Sequence, residues 1–396
     1  MSNRFILKFF LVWGALSSVV VLALIKVGGN HSAVFGIKDA LIYLAMLFLV
    51  GRVRSTIGYI LLTIICIFTL LVLVNYVSIN PNYNAPINNL RQIVAPVLVL
   101  FFFSSLSLSD AAVKNVERFL DYLVLSVCLF GFLELYLDVW EHVGLHNFFG
   151  LKGIPVDQNG MSYMFYEPVL GNRKRLSTTF IDPISAGHFF AAYVIYRYYF
   201  RGGFVLPRAA WIFSLVALLL TFSKGAMLQT FLALTFLNSR INIFLRFGAL
   251  AVPVYAFYLL PIKHGVLIHL TGVYNAAVNL SFFGHGLGSA GNYTKMFTDD
   301  MTLYNELRVG DTFLGSLVTQ IGLIGLVLWL GLLFLSLNPR TKSFRVALTI
   351  LASQVAVSLF SENTMNVTSF ALPAIIIAIA VKRESVIPPG ISRGRK

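Results

Sequence analysis

The stretch FLGSLVTQIGLIGLVLWLGLLFLSL, residues 313–337, contains no charged side chain. Wound as a helix, it exceeds the roughly 20 residues needed to cross the hydrocarbon of a bilayer. Its apolar residues run continuously, whereas a barrel strand would alternate apolar with polar. Similar runs recur through the 396 residues, which are 58% hydrophobic and only 12% charged. Mean hydropathy is +0.81, far too apolar for a soluble core to conceal. The chain is therefore expected to be all-α, a polytopic helical membrane protein.

Working outward from that run, spans are expected near 5–27, 35–51, 56–79, 93–109, 119–140, 183–200, 209–222, 226–238, 242–261, 313–337, 344–360 and 367–381. That makes about 12 transmembrane helices, with the arms 209–222 and 226–238 each shorter than the roughly 20 residues of a typical span. With the N-terminus inside, the inner segments carry Arg4 and Lys8, Arg52 and Arg54, Lys114 and Arg118, Arg197, Arg201 and Arg208, Arg240 and Arg246, and Arg340, Lys342 and Arg345. Every inner segment is thus basic, as the positive-inside rule requires, and both termini are expected to be cytoplasmic. The same rule demands an even number of crossings over 209–238, hence a hairpin turning at Ser223-Lys224-Gly225. The formal charge of +14 is read as orientation signal, so no nucleic-acid partner is expected.

Two outer segments are long, 141–182 and 262–312, and long loops in compact proteins tend to carry function. Residues 1–381 read as a single transmembrane domain and 382–396 as a basic cytoplasmic tail. The apolar stretch after Arg4 and Lys8 is read as a retained first helix. Cys66 and Cys128 lie in apolar runs and cannot build a disulfide framework.

Against the charge rule stands Asn172-Arg173-Lys174-Arg175, a basic cluster on the outer side that calls for an anionic partner. It precedes Asp182-Pro183, an N-cap with proline in the first turn, so it lies beside a helix N-terminus that also favours anions. A diphosphate on a lipid fits, because a guanidinium fork matches phosphate oxygens. The bland alternative is contact with lipid headgroups. Lys224 either joins such a site or offsets a helix C-terminal dipole. Arg91 and Arg308 are further candidates, with an interfacial role the better reading for Arg91.

In the second outer segment, Gly286 to Gly291 matches the dinucleotide pattern formally, yet no strand precedes it. Those glycines are read as permitting a tight backbone path, with His285 among them structural or touching substrate. Asp299-Asp300 is discounted as a metal site, and no metal or cofactor is expected. Asp311 is read as the N-cap of the next helix, as a proton acceptor close to Arg308, or as both. Glu134 and Asp138 share one helix face, and Glu134 should find a Lys or Arg on a neighbouring span.

The run Arg175-Leu176-Ser177-Thr178-Thr179-Phe180-Ile181-Asp182-Pro183, the turn Ser223-Lys224-Gly225-Ala226, the string Phe283-Gly284-His285-Gly286-Leu287-Gly288, and Asp311-Thr312-Phe313-Leu314 through Gly322-Leu323-Ile324-Gly325 come in an order that resembles the bacterial O-antigen ligase/polymerase family of membrane glycosyltransferases. The resemblance covers about 170 to 335. Two departures stand out: Lys224 where the family usually has arginine, and Asp311-Thr312 where its ligases place histidine-asparagine. The second favours polymerase over ligase.

That resemblance implies metal-independent, cofactor-free transfer between polyprenyl-diphosphate-linked oligosaccharides, donor and acceptor, at the outer face of the bacterial inner membrane. Arg175, Arg173, Lys224, Arg308 and Arg91 would hold the diphosphate, with Asp311, then His285, as general base. Membrane lipid, chain-length regulators and flippases would be the partners. The alternatives are an O-antigen ligase acting on lipid A core, a lipid-linked sugar flippase or transporter, and a non-catalytic assembly protein.

Overall fold

The computed structural model describes residues 2–26, 84–144, 165–167, 171, 173–200, 205–237, 263–297, 301–337 and 343–383, with scattered residues between 63 and 70. The expected spans 35–51 and 242–261, and nearly all of 56–79, lie outside the described residues. So do Asn172, the pair Asp299-Asp300 and the tail after Arg383.

The described chain is mostly helical, with one short pair of antiparallel strands. Its elements are α1 Asn3–Lys26, α2 Asn84–Ser105, α3 Asp110–Leu137, α4 Val139–His142, β1 Tyr166–Glu167, β2 Arg173–Lys174, α5 Pro183–Tyr199, α6 Val205–Leu220 and α7 Lys224–Leu237. They continue with α8 Lys263–Val278, α9 Asn292–Phe297, α10 Thr302–Leu307, α11 Phe313–Leu335, α12 Phe344–Val357 and α13 Val367–Lys382. Single 3-10 turns precede α5 (Thr178–Phe180) and α13 (Glu362–Met365). Four helices, α1, α2, α3 and α11, are long and apolar enough to cross a membrane. Their outward faces show large apolar side chains such as Phe5, Ile87, Leu129, Leu133, Ile324 and Val327. That surface suits lipid and not water.

Local chemistry sets the boundaries. α3 begins earlier than expected because Ser109 caps it, accepting from the Ala112 amide, and Asp110 sits in its first turn. The expected break between 209–222 and 226–238 is present. Thr221 ends α6 by turning its hydroxyl onto the Leu218 carbonyl at 2.7 Å, and Phe222 adopts a left-handed conformation. α7 then packs on α5 and α12, close enough that a Cβ on Gly187 would meet Ser223 Cβ at 2.7 Å.

Within the segment 262–312 the described residues form α8, α9 and α10, with the glycine-rich stretch between α8 and α9. That stretch has an unusual place. α11 is broken at Gly322 (φ 73, ψ −178), and residues 281–286 fill the break. Leu323 and Ile324 amides donate to the Ser281 and Phe282 carbonyls, while the Thr319 and Gln320 carbonyls accept from His285 and Gly286. Four backbone groups around the break are thereby paired, as an apolar surrounding favours. A Cβ on Gly322 would lie 2.3 Å from the Phe282 carbonyl oxygen, and one on Gly284 2.2 Å from that of Gln320. Gly322→Ala is accordingly expected to lose at least ~1–3 kcal/mol from backbone strain alone, read as a lowered melting temperature in detergent.

Contacts sort the helix ends into two groups. At one end Asn3 bonds the Ser107 carbonyl, Lys8 lies over Phe119, and Arg383 pairs with Glu117. Arg197 and Tyr193 close on Asp121 nearby. At the other end Ser185 meets Ser369, Gly225 approaches Val357, and the Phe313 amide bonds the Ser358 carbonyl. The functional candidates lie at this second end.

Candidate functional site

The basic cluster does not act as one unit. Residues 173–174 form β2, paired antiparallel with β1 so that Glu167 faces Arg173 and Tyr166 faces Lys174. Successive side chains of an extended segment point to opposite sides. Lys174 therefore turns away from its neighbours, onto Glu134 Oε1 at 2.9 Å and Asp138 Oδ1 at 2.5 Å. Burial works against its charge, but the bonds to Asp138 and Glu134 outweigh it and hold the ammonium above the usual lysine range. Glu134 thus gets its cation from a strand, not from a neighbouring span. Arg173 is exposed.

Arg175 takes the opposite course. Its Nε donates to the Thr221 carbonyl at 2.9 Å, its amide to the Phe165 carbonyl, and the next amide, of Leu176, to the Leu220 carbonyl. The segment 175–182 is thus stitched to the C-terminus of α6. Burial pulls the Arg175 guanidinium below the ordinary arginine range, with Asp182 and Glu167 opposing that pull. Two residues past the same turn, Lys224 opens α7 and pairs with Glu167 Oε1 at 3.0 Å. Asp182 caps α5 through the Ile184 and Ser185 amides at 2.9 and 3.2 Å. Arg175 and Lys224 are therefore brought together around Thr221–Ser223, with the carboxylates Glu167 and Asp182 beside them.

Arg308, Asp311, His285 and Arg91 belong to a second group at the same end. Arg308 is exposed, left-handed at the C-terminus of α10, and bonds its own Asn305 carbonyl. Asp311 is not the helix cap. Thr312 takes that role, accepting from the Gly315 amide at 3.1 Å, which leaves the Asp311 carboxylate to accept from Asn292 Nδ2 at 2.9 Å. His285 donates from Nε2 to the Asn279 carbonyl at 2.9 Å. Arg91 reaches Tyr293, its guanidinium 5.6 Å from the ring centre.

Two carboxylates here were passed over in the sequence. Glu167 lies in a segment with no helical or strand pattern. Glu362, in the turn Ser361-Glu362-Asn363, reads like an ordinary polar connection between spans. It is nevertheless 3% exposed. Both its oxygens accept from the Asn292 amide, at 2.9 and 2.8 Å. His188 was also missed; its ring joins Gln229 at 2.6 Å and Thr364 at 3.3 Å inside the bundle.

Chemically, the first group offers a fork donor and an ammonium beside a capped helix start, suited to oxyanions. The second offers carboxylates held by amides, suited to proton transfer. Among the described residues, no cluster of His, Cys, Asp or Glu could hold a metal ion. The sequence matches no family model and no curated protein.

Proposed function

We propose that the chain is a polysaccharide polymerase of the bacterial inner membrane, joining polyprenyl-diphosphate-linked repeat units at the outer face. The reading takes twelve spans with both termini cytoplasmic, and the Arg175 end as the outer one. The acceptor hydroxyl attacks the donor's anomeric carbon, its proton passes to a base, and polyprenyl diphosphate leaves. One observation carries the reading: Arg175 and Lys224, far apart in sequence, meet around the Thr221–Ser223 turn beside the start of α5. Charge builds on the leaving diphosphate in the transition state, and preorganised cations there lower the barrier. Glu167, which holds Lys224 at rest, must release it or share it with the diphosphate. Arg173 and Arg308, both exposed, are placed to meet a ligand arriving from solvent. Chain-length regulators and flippases are the partners this reading calls for.

The break in α11 is the feature a carrier would use, since transporters bind substrate at discontinuous helices. Here residues 281–286 of the chain itself pair with four backbone groups around the break, which favours the enzyme. The test is the surface glycan of a deletion strain, resolved on a gel. A single capped repeat supports the polymerase. Loss of all attached glycan with lipid-linked polymer accumulating would indicate a ligase, and repeats trapped on the cytoplasmic leaflet a flippase. Within the site, Asp311→Asn keeps the Asn292 contact but takes no proton, and is expected to slow polymerisation on the order of 10²-fold in a radiolabelled-repeat assay. Full activity in that variant would remove Asp311 as base.

A further inference from the structure

Glu362 has no part in the chemistry above, yet its surroundings are specific. Asn292 bridges two carboxyl groups: its backbone amide goes to Glu362 and its side-chain amide to Asp311. The Asp311 amide also reaches Glu362, and Gln92 Nε2 donates to the Glu362 carbonyl at 3.2 Å. Beside this bridge is Gly291, where a Cβ would stand 2.9 Å from Glu362 Oε1, 3.3 Å from Ser316 Oγ and 3.5 Å from Asn89 Oδ1. The last two are buried oxygens with no hydrogen-bond partner. Three oxygens thus face one small space, in which the Ser316 hydroxyl brings a single O–H. A protonated Glu362 brings a second, beyond the amides that already reach its carboxyl from outside that space.

We propose that Glu362 is a positioning residue for Asp311, acting as a neutral carboxylic acid that holds the Asn292 bridge in place. The proposal rests on the reading of Asp311 as the base. Two carboxyl groups sharing one bridge cannot both ionise cheaply, so the buried one keeps its proton and the more accessible one is free to accept. Burial first, and Asp311 second, push the Glu362 carboxyl up to about 8, against the amide bonds that would lower it. The other groups around the bridge turn elsewhere or stay neutral. Tyr304 is itself raised, by burial and then by Asp311 and Glu362. Arg91 goes to Tyr293, Arg308 to Asn305, His269 to the Asp311 carbonyl and His188 to Thr364; Lys295 is exposed.

The sign of the pH effect follows. In the unfolded chain Glu362 ionises in the ordinary carboxylate range, whereas in the folded protein it keeps its proton to about 8. Stability therefore falls as pH climbs through that window and levels off above it. Polymerisation by the wild-type chain should drop roughly tenfold per pH unit above the same point, as a second negative charge is forced against Asp311.

The experiment compares wild type, Glu362→Gln and Asp311→Asn as full-length protein in detergent, by pH-rate profile and by infrared spectroscopy. Glu362→Gln should lose the alkaline limb and the carbonyl band of a buried carboxylic acid. Asp311→Asn should shift the titration of that band to lower pH, which a purely structural glutamate would not show. An unchanged alkaline limb in Glu362→Gln, or a band indifferent to Asp311→Asn, would overturn the proposal. Wild-type protein that makes no polymer would remove the glycosyltransferase reading, while the infrared titration still judges the carboxyl pair.

Discussion

Arg175→Ala is expected to abolish polymer formation in cells while the protein still accumulates in the membrane at wild-type levels. The guanidinium is positioned through the Thr221 carbonyl, and the Arg175 and Leu176 amides, donating to the Phe165 and Leu220 carbonyls, hold the segment independently of the side chain. The fold should therefore survive its loss. Removing one preorganised donor from a charge-stabilising site typically costs about 10²–10³ in rate. Polymerisation multiplies that penalty, because a chain of many repeats needs the same transfer many times. A gel of surface glycans should show single repeats in place of a ladder. Arg175→Lys keeps the charge without the fork and should leave short products. A normal ladder from Arg175→Ala, at matched protein levels, would remove the principal site residue.

The second large effect is on stability. Lys174→Ala should destabilise the protein by about 3–5 kcal/mol, because it strands Glu134 as an unpaired buried charge. Glu134 is fully buried, and among the described residues Ser177, at 3.4 Å, would remain as its side-chain partner. The Asp138 limb of the bridge is 43% exposed, and a solvent-screened pair contributes little. The loss is therefore assigned to Glu134. Thermal unfolding in detergent measures it, and the double change Lys174→Met with Glu134→Leu should recover most of it by removing both charges together. If the single and double variants melt alike, the pair is not what secures this end of α3.

The helical class was legible because lipid leaves so few options: long uncharged runs can only be helices. Asp182-Pro183 was legible as a cap for a similar reason, since carboxylate and proline each have one natural place at a helix start. The division of 173–175 could have been foreseen only from a two-residue strand too short to leave a pattern. Asp311 and Thr312 are both good caps, and local sequence does not choose between them; Asn292 does, by drawing the carboxylate away. Glu362 was invisible for a different reason. Its burial comes from α5, α11, α12 and α13 packing around a turn that looks hydrophilic, which is a tertiary fact. The filling of the α11 break likewise depends on glycines some distance upstream, whose spacing suggested only a tight path.

That break has a consequence for biosynthesis. A discontinuity in a helix is ordinarily where a chain gives way, but here a segment made earlier acts as a splint across the gap. Residues 281–286 leave the ribosome before 313–335, so the splint is already synthesised when the two halves of α11 need it. Moving one half of α11 means dragging the splint along, and with it the chain leading to Gly291 and Asn292. The corner of Asn292, Asp311 and Glu362 and the fracture in α11 are thereby built as one mechanical piece.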